Sequence, residues 1–191
     1  MVAKGHDFPA VTLVGVLLAE QSLAVQDFRA EERTFQLLTQ VAGRAGRHAG
    51  GKVLIQTGNP DHYALKAAIT HDSDGFVAHE LGRRKSRGFP PFVYVALVRV
   101  DATKPDVARD AAYRVARTIN ETIGRDKLRV HVVGPNPASI ERLKGRTRMV
   151  MLLKSMERGP LHQAMSLVDP QDSKLLGGAR LAIDIDPINM M

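Results

Sequence analysis

The architecture of the first part of the chain follows from residues 40–47, which are Gln40-Val41-Ala42-Gly43-Arg44-Ala45-Gly46-Arg47. Gln40 and Arg44 are four residues apart and Arg47 follows three residues later, so the three side chains share one face of a helix. An amide and two guanidinium groups that converge in this way can bind a polyphosphate, because arginine matches phosphate oxygens bidentately. On spacing alone, a solvated basic helix end that complements the helix dipole is an equally good explanation.

Two apolar runs flank this helix and predict strands. Val11 to Leu18 is a continuous β-branched and leucine run, which predicts a strand buried on both faces of a parallel sheet. Asp27 is placed to cap the helix, and Lys52 to Thr57 predicts a second strand after a double glycine. Strand, helix and strand in this order form a right-handed βαβ unit. The helix should turn an apolar stripe inward, made of Phe28, Phe35, Leu38 and Val41.

Gly46 to Lys52 matches G-x-x-x-x-G-K, the first part of a phosphate-binding P-loop, but two features exclude that function. Val53 stands where a P-loop carries the hydroxyl that binds Mg²⁺, and the segment joins a helix to a strand, whereas a P-loop joins a strand to a helix. The sequence contains no other P-loop, and no Asp-Glu pair follows an apolar strand. The chain by itself therefore lacks the cradle and the metal-holding acids of an ATPase.

The composition limits the kinds of partner and cofactor. The 191 residues carry a formal net charge of +7 with a pI near 10.0, which favours an anionic partner such as nucleic acid. There are no cysteines, which excludes disulfides and thiolate zinc sites, and the histidines lack metal-ligand spacing, so no metal site is predicted. The longest apolar run is too short to span a bilayer, and a cytoplasmic protein without membrane contact is expected.

The second part of the chain predicts a small α+β domain after Phe89-Pro90-Pro91-Phe92, which cannot be helical. Strands are predicted at Val93–Val100, Leu128–Val133 and Ala179–Ile185, with a hairpin of Ile140–Leu143 and Arg148–Lys154 around Lys144-Gly145. Met149–Leu153 in the second arm is apolar on both faces, which predicts a central strand. Helices are predicted after Pro105 and at Leu161–Val168. The order β-α-β-β-α-β is typical of a ferredoxin-like sandwich. We therefore predict an α/β chain with domains at residues 1–88 and 89–191.

The hairpin carries the densest basic cluster. Arg142, Lys144, Arg146 and Arg148 occupy alternate positions, which predicts that they share one face and follow a phosphate backbone. A turn that interrupts the alternation would break this face. The alternative is a solvated edge whose charges block strand pairing. The hairpin has no obvious base-reading side chains, so binding directed by DNA shape is expected.

Several segments together resemble a known helicase family. Lys4-Gly5-His6-Asp7-Phe8-Pro9-Ala10-Val11 and Gln40 to Arg47 are similar to motifs V and VI of superfamily-2 helicases. Residues 3–9, 32–40 and Gly88-Phe89-Pro90-Pro91-Phe92 resemble more specifically the PriA family of replication-restart helicases. The resemblance implies that the first domain is the C-terminal part of a RecA-like helicase lobe with a parallel sheet.

The resemblance also implies roles for individual residues. Gln40, Arg44 and Arg47 match the positions that reach the γ-phosphate of ATP and its attacking water. Gly5 and Asp7 match positions that approach the nucleotide and the DNA backbone, and Lys4 beside them is expected to contact DNA. Arg158 resembles an arginine that holds the acidic tail of the single-stranded-DNA-binding protein SSB, although Gly159-Pro160 departs from the family pattern.

For the whole enzyme, the resemblance implies ATP-dependent 3′→5′ unwinding at stalled or branched forks, and assembly of the primosome with its other proteins. ATP with Mg²⁺ would be held mainly by a lobe that precedes Met1, and the family's cysteine-rich zinc insertion has no ligands here. We expect a C-terminal piece of such a helicase that has no ATPase activity alone. The alternative from the residues is a non-catalytic, basic nucleic-acid-binding protein.

Overall fold

The computed structural model describes residues 12–45 and 51–190, which fall in two compact units, Met1–Arg83 and Arg84–Met191. The described elements of the first unit are β1 (Leu13–Val16), a short 3-10 helix (Ala19–Ser22), α1 (Ala30–Ala45), β2 (Lys52–Ile55), α2 (Tyr63–Thr70) and α3 (Ser73–Arg87), the last of which continues past its boundary. Those of the second are β3 (Tyr94–Ala102), α4 (Pro105–Asp126), β4 (Val130–Leu143), β5 (Arg146–Ser155), α5 (Arg158–Ala164), α6 (Ser173–Leu176) and β6 (Arg180–Ile185).

The predicted βαβ pairing is present in the first unit. β1 and β2 are parallel, with Leu13 opposite Lys52 and Val16 opposite Ile55, and α1 lies between them in sequence. Val16 and Ile55 pack against the core of this unit, whereas Leu54 is 61% exposed. The prediction that Val11–Leu18 is buried on both faces was therefore wrong, because the described sheet has two strands and packs a core on one side only.

The core of the first unit lies mainly between its helices. Phe35 and Leu38 of α1 are buried as the apolar stripe predicted, and Leu65 of α2 is fully buried. The rings of Phe35 and Phe76 stack with their centroids 4.1 Å apart. Asp27 accepts a hydrogen bond of 2.9 Å from the Arg29 amide just before α1 begins, which agrees with its predicted role at the helix start.

A polar cluster connects the helices of the first unit. Arg83 of α3 forms an ion pair of 2.7 Å with Glu31 of α1, and the Tyr63 hydroxyl donates a hydrogen bond of 2.6 Å to Glu80. Burial, together with the neighbouring Glu80 carboxylate, raises the pKa of Tyr63, so this hydroxyl stays protonated as a donor. His62 begins α2, and its Nδ1 accepts a hydrogen bond of 3.2 Å from the Ala64 amide.

The second unit has the predicted strand and helix order. Its four strands are all antiparallel to their neighbours, in the spatial order β4-β5-β3-β6, so β3 and β5 occupy the centre. This is the strand order of a split-βαβ sandwich, because β5 lies between β3 and β4. The prediction that Met149–Leu153 lies in a central strand is confirmed.

The two faces of this sheet differ. Met149, Met151 and Leu153 of β5 are buried in the same core as Val115 and Ile119 of α4, so one face is covered by helices. The alternate residues of β5 point to the opposite face. They include the basic residues 146, 148 and 154. We call this opposite face the open face; it is covered towards Lys154, since Val95 and Leu97, opposite Lys154 and Leu152, are 1% and 2% exposed.

β4 differs from its prediction in length. The predicted strand 128–133 and the predicted hairpin arm 140–143 form one strand of 14 residues, whose pairing with β5 shifts twice, after Val133 and after Pro137. Gly134 has φ +104°, and a Cβ at this position would lie 2.7 Å from the Val150 carbonyl oxygen. A glycine therefore allows the two strands to stay together across the first shift.

The end of the chain contains a helix that the sequence did not predict. α5 ends at Ala164, before the predicted end at Val168, and the short helix α6 follows. Asp172 caps α6 by accepting hydrogen bonds from the Lys174 and Leu175 amides, at 2.8 and 3.0 Å. A helix of four residues has too little periodicity to be recognised from a sequence.

Candidate functional site

The predicted hairpin is present and turns at the predicted residues. Leu143 of β4 pairs with Arg146 of β5, which leaves Lys144 and Gly145 as a two-residue turn. Their φ angles are +49° and +76°, and a turn with both angles positive matches the twist of the flanking strands. The turn presents the exposed Lys144 side chain at the tip of the hairpin.

The four predicted basic residues of the hairpin do not share one face. Arg142 pairs with Thr147, whose side chain is buried on the helix-covered face, so Arg142 points to that side. Arg146 and Arg148 point to the open face. The prediction of a single basic face was wrong. Because the turn has two residues, residue 143 is opposite residue 146, and an even-numbered residue of β4 beside the turn shares its face with an odd-numbered residue of β5.

Arg146 is engaged within the protein. Its Nε donates to the Asp101 carboxylate, and its Nη2 donates to the Asp101 carbonyl oxygen at 2.9 Å. Both side chains are largely shielded from solvent. Arg146 therefore fastens the start of β5 to β3, and its contact with DNA stays a prediction.

Arg148 and Arg180 lie on either side of the same acid. In the sheet register Asp101 is opposite Arg148 on β5 and opposite Arg180 on β6, so all three share the open face. The sequence prediction missed Arg180, although its place at the start of a predicted strand was a usable signal. Among the described residues, no carboxylate forms an ion pair with any of four basic side chains at this end of the sheet: Arg142, Lys144, Arg148 and Arg180.

These side chains surround the hairpin end of the sheet, with Arg142 on its helix-covered side and Arg148 and Arg180 on the open face. We call them together the hairpin surface and define it as Arg142, Lys144, Arg148 and Arg180. Within the described part of the chain none of its cations forms an ion pair with a carboxylate, and Lys144 lies at the turn, beyond the paired residues of the two strands. Such an arrangement suits a ligand with several phosphates, because each neutralised phosphate releases bound counterions. It offers positioning contacts and no fork of donors matched to a base edge.

The predicted nucleotide-facing residues are only partly described. Gln40 is exposed on α1, and the main chain of Arg44 lies in the last turn of the same helix, which fits their predicted common face. The side chain of Arg44 and all of Arg47 lie outside the described residues, as do Lys4, Gly5 and Asp7. Their convergence on a phosphate group stays a prediction.

Arg158 is the first residue of α5, three residues before the predicted start of this helix at Leu161, and it has partners within the second unit. Its Nη2 lies 3.2 Å from an Asp186 carboxylate oxygen, and its guanidinium carbon lies 4.8 Å from the centroid of the Tyr94 ring. An acidic ligand would therefore compete with Asp186 for this arginine.

The described residues contain neither a metal-binding cluster of acidic and histidine side chains nor a membrane-spanning helix. In residues 12–45 and 51–190, no group of three or more His, Asp or Glu side chains is arranged to hold a metal ion. Over the same residues, none of the helices combines the length and the apolar character that crossing a bilayer requires.

Comparison with known proteins places the second unit in a family. Residues 85–188, more than half of the chain, match the family described as the primosomal protein N C-terminal domain. The chain belongs to this family. Because the matched range contains β3 to β6, the hairpin surface is part of the primosomal protein N C-terminal domain, whereas Gln40 and Arg44 precede it.

Curated relatives extend the similarity beyond the primosomal protein N C-terminal domain. The chain is 39% identical over its whole length to the replication restart protein PriA of Bacillus subtilis, of which it covers 24%. It is 37% identical to the PriA protein of Treponema pallidum and 36% identical to that of Haemophilus influenzae, covering 29% and 25% of them. The chain thus spans about a quarter of the length of these relatives. Among solved structures, the designed protein Foldit4 matches half of the chain with a TM-score of 0.37 at 13% identity.

Proposed function

We propose that this chain is the C-terminal portion of an ATP-dependent 3′→5′ DNA helicase that recognises stalled or branched replication forks and restarts replication. The family of residues 85–188 and the replication restart proteins that match the whole chain support this proposal. The observation that carries the DNA-binding part is the hairpin surface, where four cations lie without a carboxylate partner among the described residues.

In this proposal the second unit binds the DNA backbone. Arg142, Lys144 and Arg148 contact phosphates, Arg146 keeps β5 in place beside β3, and Lys4 adds a contact from the first unit. The side chains provide positive charge in a fixed arrangement and no pairs of donors that would read a base. Recognition by the shape of a fork, in which two duplex arms present phosphates at an angle, agrees with these contacts.

The first unit contributes to ATP hydrolysis in the complete enzyme. Gln40, Arg44 and Arg47 would face the γ-phosphate, and Gly5 and Asp7 would approach the nucleotide. Arginine stabilises the charge that develops on a transferring phosphoryl group, while Mg²⁺ and a P-loop supply the rest of the phosphate site. This chain has neither a P-loop nor the acids that hold Mg²⁺, so it is inactive alone. Any zinc site belongs to other parts of the complete protein.

Arg158 is proposed to bind the acidic tail of SSB, and other primosome proteins are further partners. The test replaces Asp186, the carboxylate that competes with an acidic ligand for Arg158, by asparagine. In Asp186→Asn, Arg158 loses its carboxylate partner, and an acidic peptide should bind the chain a few-fold more tightly. Arg158→Ala with Asp186→Asn is the control. Unchanged peptide affinity in Asp186→Asn would remove Arg158 from this interaction.

The experiment that tests the proposed function measures the affinity of the chain for forked, duplex and single-stranded DNA by fluorescence anisotropy at several salt concentrations. The proposal expects the fork to bind most tightly, with an affinity that falls steeply as salt rises. The variant Lys144→Ala with Arg148→Ala should bind every DNA more weakly and with a shallower salt dependence. Absence of binding to any DNA at low salt would overturn DNA recognition by this chain.

A further inference from the structure

A shallow groove lies at the end of β5 that is farther from the hairpin turn. Its volume is about 640 Å³, and its lining includes three cationic side chains and one histidine, together with aliphatic residues and serines. The described residues that line the groove include no carboxylate. The basic residues come from the end of α3, from the start of β4 and the residue before it, and from β5: Arg87, Arg129, His131 and Lys154.

Lys154 is the cation of the groove that is best shielded from water. Its ammonium donates a hydrogen bond of 3.1 Å to the Arg87 carbonyl oxygen and lies 3.8 Å from the centroid of the Phe89 ring. Burial lowers the pKa of Lys154, and none of the described carboxylates forms an ion pair with it. A half-buried ammonium without a counter-ion is costly to the protein, so an anion in the groove would be stabilised by it.

The groove suits a sugar-phosphate backbone better than nucleobases. Val93, Leu128 and Val130 give it aliphatic surface, and its lining has no aromatic ring other than that of His131. The Phe89 ring beside it is already covered by Lys154. Bases are held on single strands chiefly by stacking on aromatic side chains, whereas phosphates need cations.

The groove and the hairpin surface are arranged along one strand. Arg148 and Lys154 point to the same open face of β5 and are six residues apart in sequence, a distance of roughly 20 Å in a strand. Duplex DNA carries a phosphate about every 1.7 Å along its axis. A single duplex that lies along β5 therefore has phosphates within reach of both ends.

We propose that the groove is a second phosphate-binding site, which holds the backbone of the same DNA that the hairpin surface contacts. This inference rests on the proposed DNA binding by the second unit. The domain then holds DNA at two places along β5, and the distance between them sets a minimum length for tight binding. Arg87, Arg129 and Lys154 supply the charge at the groove.

The test combines charge removal with DNA length. The groove variant is Arg87→Ala with Arg129→Ala, since both side chains are exposed and their known hydrogen bonds involve only the main-chain carbonyls. The matched control is Arg109→Ala with Arg117→Ala, which removes two charges from the exposed side of α4, the helix that packs on the other face of the sheet. The DNA probes are stem-loops with stems of about 5 and about 16 base pairs, or roughly 17 and 54 Å.

The 191-residue chain should bind the long stem about tenfold more tightly than the short stem, and the groove variant should lose this difference. Its salt slope on the long stem should fall by about 0.9 for each lost contact. The control variant should behave as the unchanged chain does. A groove variant that keeps the full length dependence and salt slope would overturn the second site, even where Lys144→Ala with Arg148→Ala still weakens binding and supports the proposed function.

A fluorophore at the groove identifies the occupant directly. The chain has no cysteine, so Met156→Cys, at a position that is 71% exposed in the groove lining, accepts a single label. The long stem should change the emission of this label, and the groove variant should abolish the change. A label that responds to an acidic peptide and not to DNA would overturn the inference in favour of a protein partner. If the unchanged chain binds no DNA at all, the proposed function falls with it.

Discussion

The two units of the chain bury their sheets to different extents. In the second unit the central strand β5 has Met151 and Leu153 fully buried beneath the helices, in a core formed by residues of the same unit. In the first unit the two-stranded sheet leaves Leu13 and Leu54 57% and 61% exposed, and the core lies mainly among the helices. The sheet of the second unit is therefore covered on one face by its own helices, whereas the described sheet of the first unit is small and partly exposed.

The largest expected effect is a loss of ATP hydrolysis, proposed for the first unit, without a loss of the DNA binding proposed for the second. Arg47→Ala in a complete enzyme of this type should lower kcat for ATP hydrolysis on the order of 10³-fold, because an arginine at the γ-phosphate acts in the transition state. DNA affinity should change little, since the proposed DNA contacts lie chiefly in the second unit. Steady-state ATPase assays with DNA present measure the first effect, and Arg109→Ala on α4 is the control. Near-normal turnover would remove Arg47 from catalysis.

The burial of the two sheets can be compared by matched substitutions. Leu153→Ala should lower the free energy of unfolding of the second unit by about 2–5 kcal/mol, since it leaves a cavity in a closed core. Leu54→Ala should change the stability of the first unit by less than about 0.5 kcal/mol, because the side chain is mostly in solvent. Urea denaturation followed by circular dichroism measures both. Equal effects would show that Leu54 is covered in solution.

Two arginines of β5 are expected to differ in function, one in DNA binding and the other in stability. Arg148→Ala should weaken DNA binding several-fold and reduce the salt slope by about 0.9, because Arg148 has no carboxylate partner among the described residues. Arg146→Ala should affect stability more than DNA binding, by about 1 kcal/mol, since it removes the partner of Asp101. If both variants lose DNA affinity equally and keep their stability, Arg146 is a DNA contact like Arg148 and has no separate structural role.

The smallest expected effect is a pH dependence confined to the first unit. Burial is the main cause that lowers the pKa of His62, so the folded unit binds fewer protons near pH 6.5 than the unfolded chain. The stability that neutral His62 provides is present above about pH 6.5 and is lost as the pH falls below it. Protonation also removes the Nδ1 acceptor from the Ala64 amide. His62→Asn keeps a capping acceptor without titrating, and its melting temperature should vary less between pH 7.5 and 5.5, a window set by the histidine pKa of about 6.5.

Local patterns predicted much of the fold. The apolar run 149–153 indicated a central strand, and the stripe containing Phe35 and Leu38 indicated the buried side of α1, because burial follows the period of each element. The exposure of Leu13 could not be predicted, since it depends on how many strands join the sheet. The merging of two predicted strands into β4 depends on how β4 pairs with β5 around Gly134, which no local periodicity reveals.

The candidate site was less predictable than the fold. Basic residues at alternate positions correctly marked the hairpin, but the side to which Arg142 points depends on the turn having two residues. Arg180 joins the hairpin surface through the pairing of β3 with β6, which is distant in sequence and invisible to spacing. The groove combines residues from three separated segments, and the sequence contains no motif that would connect them.

The pairing shifts of β4 have a consequence for protein engineering. Pro137 is opposite Met149 and Arg142 is opposite Thr147, so four residues of β4 stand across from the single residue Arg148. Residues inserted or deleted within 138–141 would alter the reach of the Lys144 tip while leaving the β3–β5 pairing intact. Gly134 must stay glycine in such variants, since any side chain there would collide with the Val150 carbonyl. The hairpin that carries Lys144 could therefore be lengthened or shortened by design, provided that Gly134 is kept.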